Sequence, residues 1–162
     1  MIQIQKEPNA DSRTAKDNLT REELMRATEN HIGHVRDALL FFSQMIGVAS
    51  DRHDHTKLSN FDAFYDALKS PDIKQTEWYT NHISEERHHL KSKVPYKVNL
   101  IDVIEHLSDC VMAGLARSGQ IYDTDLLPEL LFTAYQNTIE LLKSQVIVMQ
   151  DDNVLNQPIT EE

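Results

Sequence analysis

Apolar residues that return every three or four positions, with very little glycine or proline to interrupt them, commit this chain to helices. Leu24, Ala27, His31, Val35, Ala38, Phe42 and Met45 mark one such stripe, and Thr20-Arg21-Glu22-Glu23 ahead of it reads as a capping box. Together they predict a helix over about 21–46. A break follows over 47–59, then a short helix with Phe61, Phe64, Tyr65 and Leu68 on its apolar side, stopped by Ser70-Pro71. A further helix is expected over 75–90 and a basic connector over 91–98. Asn99 caps a strong helix that Gly119 ends. Asp125 opens the last helix, with Pro128 in its first turn. The expectation is an all-α, compact bundle of about five to six helices. Residues 1–18 are read as a flexible arm, 19–150 as one helical domain and 151–162 as a disordered tail.

Only 4 glycines and 5 prolines occur in 162 residues, which leaves little material for hairpin turns. The net charge of −10 argues against general nucleic-acid binding, because a phosphate backbone would be repelled. A small nucleotide is not excluded, since a metal cluster reverses the sign of a single pocket. Cys110 has no partner for an internal disulfide and fits a reducing compartment. Residues 1–16 are polar, unlike a signal peptide, and no apolar run suits a bilayer. A cytoplasmic protein without membrane partners is therefore expected, with homo-oligomerisation left open.

Histidine is the compositional oddity. There are eight, and seven fall between His31 and His89. His31 sits on the stripe of the first helix, so its ring is expected to face the core, with His34 as a substitute or supporting partner. A lone core histidine is more often simply hydrogen-bonded to a carbonyl. His53-Asp54 lies at a helix–loop junction, where a turning backbone lets imidazole and carboxylate converge on one cation. Lys57, three residues on, offers a positive charge for a phosphate oxygen. His82 and His89 are seven residues apart and nearly eclipsed on a helix, and an unwound turn near Arg87 would bring in His88. Glu85 and Glu86 lie beside them as ligands or orienting partners. Asp109 heads the apolar segment 110–116 and would be costly to bury unless ion-paired or metal-bound. Asp102, Glu105 and His106 share its face nearer solvent, with Glu105 within reach of the site.

The order His31…His53-Asp54…Asp109 resembles the HD superfamily of metal-dependent phosphohydrolases, whose pattern is His…His-Asp…Asp on a helical bundle. His53-Asp54-His55-Thr56-Lys57, with His82 and His88-His89, looks closer to the HD-GYP branch, whose doublet reads His-Asp-x-x-Lys and whose extra histidines bind further metal. The Gly-Tyr-Pro segment of that branch is missing, so cleavage of its cyclic dinucleotide is not implied. Still more similar is a small phage and bacterial family of unassigned function. That family shares His-Asp-x-Ser/Thr-Lys, a downstream acidic-Phe element (here Asp62-Ala63-Phe64) and Trp…His…His-His. The resemblance covers about 31–117, and it implies that the compact bundle is of HD type, with 19–150 as a metal-binding helical domain.

The resemblance implies one or two divalent ions (Mn, Fe, Zn, Ni, Co or Mg) held by His31, His53, Asp54, His82, His88, His89 and Asp109. Asp54 and Lys57 would serve a phosphohydrolase acting on a small phosphorylated substrate such as a nucleotide. Two rivals share the ligand set: a diiron oxygenase, and a non-catalytic, metal-stabilised binding or inhibitory protein of phage type.

Overall fold

The computed structural model describes residues 1–6, 19–90 and 97–149. The expected tail over 151–162, most of the arm and most of the basic connector lie outside the described residues. The fold class is all-α, and the chain divides into two units, 1–41 with 142–162, and 42–141.

The first unit contains a short parallel ladder. Strand β1 (Ile2–Gln5) pairs with β2 (Val146–Met149) in the register Ile2↔Val146 to Gln5↔Met149. Ile2 is buried there. The sequence alone places Ile2–Gln5 in a loose arm and 146–149 in the helical domain. The ladder corrects both, and its chemistry is local: Ile-Gln-Ile-Gln alternates with period two, and Val-Ile-Val is β-branched.

Helix α1 (Arg21–Arg52) starts as its capping box predicts. Glu23 N–H donates to Thr20 Oγ1 at 3.2 Å, and Thr20 N–H donates to Glu23 Oε2 at 2.9 Å. It does not stop at 46. Gly47 has no neighbour within 4 Å of where a Cβ would stand, and it costs the helix only about 1 kcal/mol relative to alanine. The turns on either side therefore carry the helix through it.

The second unit holds the end of α1 and five further helices: α2 (His55–Ser59), α3 (Phe61–Leu68), α4 (Glu77–Glu85), α5 (Leu100–Ser118) and most of α6 (Pro128–Lys143). Asn99 caps α5 as expected, accepting from Ile101 N–H at 2.8 Å, while Asp102 Oδ2 accepts from Asn99 N–H at 2.8 Å. Gly119 closes α5 at φ 71°, a left-handed conformation that glycine adopts without penalty. Beyond it the chain returns against α5, with Tyr122 N–H donating to Cys110 C=O at 3.2 Å. Gly114 permits that approach, because a Cβ would stand 2.4 Å from Gln120 O. The buried centre is Leu90, Val98 and Ala134, flanked by Leu100, Val103, Leu126 and Leu130. Asn137 Nδ2 donates to Val98 C=O at 2.7 Å and Leu100 N–H donates to Thr138 Oγ1 at 2.9 Å, tying α6 to the start of α5.

Candidate metal centre

Two chain reversals aim the histidines. The first follows α1, where Asp54 takes φ 55°. Aspartate tolerates this left-handed region better than most residues. The turn lets His53 and Asp54 face the same space before α2 begins. The second reversal ends α4 at Glu85, with Glu86 extended. A helix over 75–90 was expected; the earlier stop replaces the eclipsed His82 and His89 with a turn that brings His88 inward as well. His88 is almost fully buried. Helix α5 contributes Glu105 and Asp109, four residues apart and so on one face.

Asp54 lies between these elements. Its Oδ1 stands 3.5 Å from His82 Nε2 and 3.6 Å from His88 Nε2. On the other side Oδ2 lies 3.5 Å from His53 Nε2, which is 3.7 Å from Asp109 Oδ1, and Oδ2 also pairs with Lys57 Nζ. Glu105 Oε1 accepts from His53 Nδ1 at 2.9 Å and stands 3.0 Å from His88 Nδ1. The second contact is close enough for an ion pair but off the line a hydrogen bond needs. His106 Nδ1 donates to His88 C=O at 3.0 Å and so braces that turn.

The protons can be placed around His82. Thr56 has one hydroxyl hydrogen, donated to Glu86 Oε1 at 2.6 Å. Thr56 Oγ1 must then accept from His82 Nδ1, also at 2.6 Å. His82 Nε2 is left as a bare lone pair. It meets His89 Nε2 at 2.8 Å, a pairing that needs His89 to carry its proton on Nε2. Trp78 stacks on His82 at 4.7 Å and Phe64 stacks on Trp78 at 4.5 Å, which holds the ring in place from its apolar side.

The electrostatics follow from these contacts. Burial pushes the Asp54 carboxyl up, but Lys57, His53 and His88 outweigh it and hold it below its usual range. Glu105 behaves alike, burial being overcome by His88 and His53, and so does Glu86, where Thr56 and His55 prevail. Burial lowers His82, against the pull of Asp54. Burial together with His88 and His82 brings His89 down to about 4. His88 goes the other way, since Glu105, Asp54 and Asp109 outweigh its burial and raise it.

These donors fit a cation. Among the described residues Asp54 Oδ1 and both ring nitrogens of His88 are buried without a hydrogen-bond partner. Such orphans are costly unless something occupies the space between them. Four donors about 2.1 Å from one tetrahedral ion stand about 3.4 Å apart. The separations of 3.5 to 3.7 Å around Asp54 are close to that edge. Three sets of donor atoms, His53–His88–Glu105, Asp54–His88–His89 and His53–Asp54–Asp109, each lie within 4.8 Å of one another.

Of the residues singled out in the sequence, His53, Asp54, Lys57, His82, Glu86, His88, His89, Glu105 and Asp109 come together in the second unit. His31 and His34 do not join them. They sit on the part of α1 in the first unit, outside all three donor sets. His31 is exposed rather than core-facing, because that stretch of α1 buries only Ala27. On α5 the expected gradient is reversed. Asp102 and His106 are buried while Asp109 is half-buried, and Arg87 neutralises Asp102 through two contacts of 2.7 Å. Thr56 was missed as a functional residue, although the Ser/Thr position of the resembling motif pointed to it.

Comparisons with protein-family models, with curated proteins and with solved structures find no match. Among the described residues no helix is long and apolar enough to cross a membrane.

Proposed function

We propose that the second unit is a metal-dependent phosphohydrolase centred on Asp54, with a nucleotide or another small phosphate ester as substrate. The observation that carries this reading is the pair of buried, unpartnered atoms Asp54 Oδ1 and His88 Nε2, facing each other at 3.6 Å. His82, His89, His53 and Asp109 would complete the ligand shell on the two sides of that carboxylate. Several imidazoles with carboxylates suit manganese, iron, cobalt, nickel or zinc better than magnesium. The HD resemblance supports the same reading through His53, Asp54 and Asp109. Its first histidine finds no counterpart in His31.

A divalent ion bound here supplies Lewis acidity towards a phosphoryl oxygen and acidifies a water. The side chains do the rest. Glu105 fixes the tautomer of His53 so that its Nε2 lone pair points at Asp54, and Thr56 does the same for His82. Lys57 balances the Asp54 charge and offers its ammonium to phosphoryl oxygens as they gain charge. In a chain of net charge −10, such local positive charge is what lets an anion approach.

The test is inorganic phosphate release across nucleotides and simple phosphate monoesters, using protein reconstituted with each first-row ion. Metal-dependent release is expected, falling at least about 100-fold in Asp54→Ala with helical content unchanged. Protein that binds the ion and releases no phosphate from any substrate would overturn the enzymatic reading.

A further inference from the structure

The N-terminal two thirds of α1 carry a pattern that the metal centre does not use. Met25, Thr28, Ile32, Val35, Leu39 and Phe42 follow one another at alternating spacings of three and four. That is the a/d repeat of a coiled coil, and on α1 it draws a continuous seam along one side. Met25, Ile32, Val35 and Leu39 are 45 to 63% exposed. Ile32, Val35 and Leu39 line an open groove together with His31, Arg36 and Leu40. Thr28 suits an apolar seam because its hydroxyl donates to Leu24 C=O at 2.7 Å. The register runs on to Ile46 and Ala49, but those residues line a cavity beside His53 in the second unit, so the seam ends at Phe42. An exposed apolar stripe of this length is rare on a monomer.

The flanking charges say what covers it. At the positions beside the seam stand Glu29 and Arg36 on one edge, His31 and Ala38 on the other. Two parallel copies would set His31 against Arg36, which offers no attraction. Two antiparallel copies set Glu29 of each against Arg36 of the other, giving two opposite-charge pairs related by a two-fold axis. The same alignment stacks Ile32 on Val35, Thr28 on Leu39 and Met25 on Phe42. Among the described residues neither Glu29 nor Arg36 is engaged in an ion pair, so both are available for this contact.

We propose that α1 pairs with α1 of a second copy of this chain, as an antiparallel coiled coil centred between Gly33 and His34. The exposure of His31 follows, since it borders the seam rather than a buried core.

Sedimentation of the full-length protein at tens of micromolar tests the pairing. A dimer is expected, with Ile32→Glu giving a monomer of undiminished helicity. The exposed charges supply the decisive cycle, because neither substitution touches a buried group. Glu29→Arg and Arg36→Glu should each raise the dissociation constant about tenfold, since each makes two attractive pairs repulsive. Both together should restore it. A monomeric wild type would overturn the proposal, as would a dimer indifferent to Ile32→Glu or a double reversal that stays weak. Strengthening by Arg36→Glu alone would indicate the parallel arrangement instead and equally overturn it.

Discussion

A single hydroxyl proton decides how His82 presents itself. Thr56 gives it to Glu86 and takes one from His82 Nδ1, so the nitrogen facing Asp54 presents a lone pair, the one that His89 also meets, rather than a proton. Thr56→Val keeps the shape and removes both contacts. It should weaken metal binding about 10- to 100-fold with little change in helicity, read by competition with a chelator, and Thr56→Ser should recover most of the loss. At this scale the sequence was informative about which side chains gather and poor about what supports them. His53, Asp54 and Asp109 stand out because adjacent imidazole and carboxylate at a junction, or a carboxylate ahead of an apolar run, have few inexpensive explanations. His31 misled because a stripe at helical spacing shows that one face is apolar, not what that face meets. The support from Glu105 and Thr56 depends on residues 52 and 26 positions from the histidines they orient, and no local pattern records such a contact.

Capped helix ends were the most legible elements, and strands the least. Thr20, Asn99 and Gly119 announce their roles because capping is chemistry among residues three or four apart. The β1–β2 ladder joins the two ends of the described chain, and four-residue strands have too short a period to be told from loops. Gly47 looked like a break and is not one, since an isolated glycine costs less than the flanking helix gains. Gly114 is the reverse case. Nothing nearby in sequence marks it, yet a Cβ there would strike Gln120 O at 2.4 Å and Tyr122 N at 2.7 Å. Both are backbone atoms and cannot rotate away. Gly114→Ala should therefore destabilise the fold by about 2 kcal/mol despite its better helix propensity, lowering the thermal midpoint by about 4–8 °C. A midpoint equal to or above the wild type would show that the return of the chain after Gly119 is looser than described.

For the molecule as a whole, composition set the class and little more. Scarce glycine and proline with helical periodicity pointed to the all-α fold, and the acidity argued against a general nucleic-acid role. The organisation into two units was not visible, because α1 runs from one into the other without a composition shift to mark the boundary. Everything functional rests on whether the lone pairs around Asp54 enclose an ion. Anomalous diffraction measured on either side of a first-row metal edge, from crystals of the metal-loaded protein, addresses that directly. A peak is expected about 2.0–2.3 Å from Asp54 Oδ1 and His88 Nε2. A saturated protein with no peak among Asp54, His82, His88 and His89, or with its ion elsewhere, would contradict it.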